Sequence, residues 1–150
     1  LDDIGKELGS DGHSIVRHYG NSRTGLIAAV FEPLLTDLRQ VADTPGPAHH
    51  IVEAFARLLI AHPEEAAILV GDAIALARTE VGAAIFAERA VIRRRISRET
   101  DEMTAGVVLA AIEAAAVNAG DRTHPENLPR ELRPLLARLT QLLGPDRTLG

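Results

Sequence analysis

Polar side chains able to touch a nucleic acid crowd into one short run of this 150-residue chain, Gly9-Ser-Asp-Gly-His-Ser-Ile-Val-Arg-His-Tyr19. Gly12, His13, Ser14, Arg17 and His18 take the exposed positions of one short helix. Arg17 carries a donor fork that fits a guanine edge or a phosphate. His13 and Ser14 can donate to phosphate oxygens or base edges, and Arg23, at the start of the next helix, can hold the DNA backbone. His18 has two readings of equal weight: a DNA contact, or a ring packed against the first turn of the helix that follows. Tyr19 reads as core.

The elements that must position these residues are legible around them. Residues 1–8 have a short helical pattern with Ile4 and Leu8 one turn apart on one face. Gly9 ends it, and Ser10 or Asp11 can cap a second helix by accepting from its exposed first-turn N–H groups. That helix turns Ile15 and Tyr19 inward. Two short helices joined by a tight glycine turn form a helix-turn-helix, whose second helix lies in the DNA major groove.

Residues 1–30 resemble the DNA-reading motif of the tetracycline-repressor (TetR) family of bacterial transcription regulators. Ile4, Gly9, Ile15, Arg17, His18 and Tyr19 stand where the family has an isoleucine, the turn glycine, a leucine, a variable residue, a frequent histidine and an aromatic. Gly20-Asn21-Ser22-Arg23 and Leu26-Ile27-Ala28-Ala29-Val30 are similar to the loop and long linking helix that follow. The sequence departs from the pattern at Val16, where a phosphate-touching tyrosine is usual, at Ser10, and in a loop one residue longer. The resemblance implies a first helix preceding Leu1, a double-stranded operator DNA partner, a small-molecule effector and a homodimer.

The linking helix is expected over residues 23–42, with Ile27, Val30, Phe31, Leu34, Leu38 and Val41 as its apolar stripe. Pro33 lies inside it and should kink it, since proline removes one backbone bond and crowds the preceding turn. The Pro and Gly of Ala-Asp-Thr-Pro-Gly-Pro, residues 42–47, punctuate the chain. They mark a boundary between a head with its linking helix, 1–43, and a ligand-binding and dimerisation domain, 44–150. A helix over 48–61 buries Ile51, Ala54, Phe55, Leu58 and Leu59. Residues 66–77 are apolar except for Gly71 and Asp72, so a helix wrapped on nearly all sides is expected there.

The next helix, 82–98, has Ile85, Ile92 and Ile96 on one side and Arg89, Arg93, Arg94, Arg95 and Arg98 over the rest. Thr100 is expected to cap a helix running to residue 119, with Asp101 and Glu102 at its positive end. Its Ala105, Gly106, Ala110, Ala111, Ala114 and Ala115 are small enough for another helix to come close. After a polar loop, Asn127 and Pro129 signal a last helix with a stripe of Leu132, Leu135, Leu136, Leu139, Leu142 and Leu143. These two C-terminal helices either face the core of a monomer or, as the resemblance implies, pair with the same two of a second subunit. Twofold symmetry would then set two reading helices one DNA turn apart, ~34 Å.

Asp72 is the candidate ligand-binding residue, because an ionised carboxylate in an apolar helix is costly unless paired or hydrated. The commoner outcome for such an acid is an arginine partner or a wet helix edge. The arginine run reads as a solvated face or as salt bridges to Glu88, Glu99 and Glu102. His49 and His50 are adjacent and point apart on a helix, and with His62 they are not completed by cysteine or a close carboxylate; no metal is expected. There is no HExxH, glycine-rich phosphate loop or Gly-x-Ser-x-Gly elbow, so neither catalysis nor a cofactor is expected.

Composition sets the outer limits. The absence of cysteine rules out disulfides and thiol chemistry. No stretch reaches the ~18 uninterrupted apolar residues of a membrane span, and no charged-then-apolar signal segment opens the chain, so a cytoplasmic protein is expected. Aliphatic side chains with only three Phe, one Tyr and no Trp favour helices. The net charge of −5 speaks against a generally basic nucleic-acid binder. Up to Arg39, four bases face six acids. The expectation is an all-α, dimeric, ligand-responsive repressor. The alternative is a dimeric helical small-molecule sensor or interaction module with weak or lost DNA binding, which Val16, the acidic head and the longer loop favour.

Overall fold

The computed structural model describes residues 23–120, with Pro134, Ala137 and Gln141 described singly, and it is all-α: no strand occurs among the described residues. The helices are α1 (Arg23–Ala42), α2 (Ala48–Ala61), α3 (Pro63–Gly71), α4 (Ala73–Ala77), α5 (Glu80–Ser97) and α6 (Glu102–Gly120). The helix-turn-helix expected before residue 23 lies outside the described residues, as do the leucines of the stripe expected after 127; within that last helix Pro134, Ala137 and Gln141 are helical and exposed.

One core joins all six helices. Phe55, Ile51 and Leu59 of α2 and Ile85, Ile92 and Ile96 of α5 form its centre, every one of them fully buried. Leu34 and Leu38 of α1 enter from one helix, and Val108, Leu109 and Ile112 of α6 from another. α2 packs against α1, α5 and α6, and α5 lies against α1 and α6; α3 rests on α6. No polar or charged residue is buried among the described residues. The hydrophobic effect therefore dominates this core, and polar groups act at its edges.

Those edges are where the helix ends are fixed. Gly46 takes a φ of 100°, the left-handed region open to glycine, and turns the chain between α1 and α2. Pro47 offers α2 no side-chain cap. Glu99 fills that role from the α5–α6 turn, its Oε1 accepting from the Ala48 N–H at 2.9 Å. At α5 the Thr79 hydroxyl accepts from the Gly82 N–H at 3.0 Å and donates to the Leu76 carbonyl at 2.7 Å, so one side chain ties the end of α4 to the start of α5. At α6 the cap is Asp101 rather than the expected Thr100. Asp101 Oδ1 accepts from the Thr104 N–H at 2.8 Å. The Thr100 hydroxyl instead donates back to the Ile96 carbonyl at 3.1 Å, closing α5.

The expected bounds of α1 and α2 coincide with the observed ones. The α1 stripe differs in detail: Leu26 and Leu35 are buried, whereas Val30 is exposed at the edge of the buried sector. The larger correction concerns residues 66–77. They do not form one helix wrapped on all sides; the chain breaks at Asp72, and only Ala66, Leu69 and Leu76 are buried in the two short helices. Gly71 and Asp72 are poor helix formers side by side, which makes a break cheap. Ile68, Val70 and Ile74 are left exposed, Ile74 by 76%.

Candidate ligand groove

Of the residues expected to touch DNA, Arg23 is described: it is exposed and opens α1. Gly12, His13, Ser14, Arg17 and His18 lie outside the described residues. Asp72 is exposed at the junction of α3 and α4. Its N–H donates to the Ile68 carbonyl at 2.8 Å and its carbonyl accepts from the Leu76 N–H at 3.0 Å. The costly burial that singled it out is absent, since its carboxylate can be hydrated where it stands.

His49 and His50 do not point apart as expected: their rings touch edge to face, with centroids 4.4 Å apart. His62, at the α2–α3 junction, is half-buried and holds Asp37 of α1 through Nε2 and Oδ2 at 2.8 Å. No cluster of three metal-ligating side chains occurs among the described residues.

The arginines of α5 divide between structure and solvent. Arg89 reaches Glu113 of α6 with two parallel bonds, the second at 3.0 Å, a geometry that fixes the two helices in register. Arg93 meets Glu102 at 3.1 Å and crosses α6 at Gly106, where a Cβ would stand 3.3 Å from its Nη2. Arg95 donates to the Ala42 carbonyl at the end of α1. Glu88 pairs with Arg39 of α1 rather than with the arginine run. Glu99 is used as the α2 cap.

These contacts give the relation between α1 and α5. Arg39 meets Glu88 and Ala42 meets Arg95, so the two helices run in the same direction. Toward their N-terminal ends they enclose a groove of about 360 Å³. Thr24, Ala28, Glu32, Leu35 and Arg39 line it from α1, all on one helical face. Thr79, Glu80, Val81 and Ala84 line it from the start of α5. The volume falls within the range of small-molecule sites, and the mix of apolar floor and few charged groups is their usual chemistry.

Small Ala28 and Ala84 face this space where larger side chains would close the gap. Pro33 lies within α1, which continues through it without the backbone donor that would reach Ala29. Beyond Pro33 the helix is firmly held by buried Leu34, Leu35, Leu38 and Val41, by His62 on Asp37 and by Arg95 on Ala42. Before Pro33 it buries only Leu26 and Phe31.

Comparison with family models, curated proteins and solved structures finds no match to this chain.

Proposed function

We propose that the protein is a DNA-binding transcription regulator of the tetracycline-repressor type, a dimeric repressor released from its operator by a small molecule. The observation that carries this reading is the junction at residue 23. A sequence with the pattern of a helix-turn-helix leads directly into α1, a 20-residue helix whose far half is locked into a helical body. Such a helix is a mechanical link: displacement where it meets the body is passed to whatever precedes it.

The ligand would act by binding two arrangements of α1 unequally, since only differential affinity shifts a population. The groove between α1 and α5 supports this, because it lies beside the less anchored half of α1. Dimerisation is supported by the outer face of α6. There Met103, Val107, Ala110 and Ala114 recur at helical spacing and are exposed, Val107 by 63%. An apolar stripe of that length on a helix already buried on its opposite face calls for a partner.

A sensor that no longer binds DNA is the second reading, favoured by the six acids against four bases up to Arg39 and by Val16. Titration of the protein onto the DNA flanking its own gene, repeated at rising salt, separates the two. A regulator binds one fragment over competitor DNA and loses affinity steeply with salt; a sensor shows no preference for any fragment.

A further inference from the structure

We propose that the groove between α1 and α5 selects an organic cation with an apolar body, with Glu32 as the principal recognition group and Glu80 as the second. The inference names the ligand class for the site above; only its consequence for DNA rests on the regulator reading.

The charges around the groove decide the sign. Among the described residues that line it, Arg39 is the one base, and Glu88 already pairs with that guanidinium at 3.6 Å. The amino end of α5 is the other positive feature, and it is also matched from within: Thr79 accepts from the Gly82 N–H, and Glu80 lies in the first turn. Glu32 is different. It is exposed at the groove on the middle of α1, and no basic side chain pairs with it among the described residues. Among the described residues, both positive features are therefore answered by the protein itself, while Glu32 has no basic partner and Glu80 stands only beside the helix end. An anion would meet net repulsion there, and a neutral molecule would forgo the charge pairing.

The rest of the lining describes the remainder of the ligand. Ala28, Leu35, Val81 and Ala84 offer aliphatic surface, and no aromatic ring lines the groove among the described residues. The cation is thus held by carboxylates and not by stacking on a π-face, while its apolar part lies against methyl groups. A primary or quaternary ammonium carrying a fused-ring or branched hydrocarbon meets both demands.

Calorimetric titration of the whole chain with naphthylmethylammonium, naphthylmethanol and naphthylacetate compares one apolar body with three charges. The cation is expected to bind most tightly and to weaken as salt rises. Glu32→Gln combined with Glu80→Gln should cost about tenfold in its affinity, as expected for two solvent-exposed charge pairs, and leave naphthylmethanol binding unchanged. Ala84→Phe, which fills the groove, should abolish binding of all three while far-ultraviolet dichroism stays helical. Equal or tighter binding of the anion, undiminished cation binding in the glutamine variant, or no cation binding to the folded protein overturns the assignment. No DNA enters this titration. Failure here with operator binding intact removes the cation site alone, and success here without operator binding removes the regulator alone.

Discussion

A single methyl group tests the turn that starts α5. A Cβ built on Gly82 would lie 1.9 Å from the Leu76 carbonyl oxygen, a backbone atom held in place by the Thr79 hydroxyl. Gly82→Ala is expected to destabilise the protein by ~2–3 kcal/mol, read as a lowered urea midpoint. At Gly71 a Cβ meets nothing within 4 Å. Gly71→Ala should leave stability unchanged or raise it by up to ~1 kcal/mol through the loss of unfolded-state freedom. Equal losses at both positions would refute the account of the α4–α5 turn. The contrast also marks where sequence reading stops at this scale. Both glycines stand next to a helix end, and their types alone do not tell which one is pressed against a carbonyl. Asp72 makes the same point: its identity raises the question of burial, but only the break at 71–73 answers it.

Helices were the most legible level. The 3.6-residue recurrence of Leu34, Leu38 and Val41, and of Ile51, Phe55, Leu58 and Leu59, is strong because each helix has one buried face and one wet one. It placed α1 and α2 within their observed bounds. The rule fails at 66–77, where nearly every residue is apolar and periodicity carries no direction. The α6 cap slipped by one residue because Thr100 and Asp101 are both capable acceptors, and the hydroxyl is consumed by the end of α5. Pro33 is the element-scale test. The helix continues through it at the expense of one backbone bond. Pro33→Ala should therefore raise thermal stability, by up to ~3 kcal/mol. A lower melting temperature would mean that the ring itself packs usefully and that α1 is not strained at that point.

At the scale of the whole molecule, the groove was invisible in the sequence. Glu32 and Glu80 are 48 positions apart, and only the parallel packing of α1 on α5 brings their helical faces to one space. The small residues of α6 suggested the close approach of another helix, yet Gly106 serves Arg93 within the same chain, and the exposed apolar stripe is Met103, Val107, Ala110 and Ala114. Val107→Glu places a charge on that stripe without touching the core. If the proposed dimer forms through that stripe, sedimentation equilibrium reports a dimer for the parent chain and a folded monomer for the variant; equal masses for the two would remove the stripe as an interface. Among the described residues no helix is long and apolar enough to cross a membrane. The central claim, a reading head governed by a sensing body, is met most directly by fluorescence anisotropy on labelled DNA from the flanks of the gene, with and without Arg17→Ala. The account predicts saturable binding to one fragment, lost in the variant and weakening steeply as salt rises. Binding that ignores fragment, salt and Arg17 alike would contradict it.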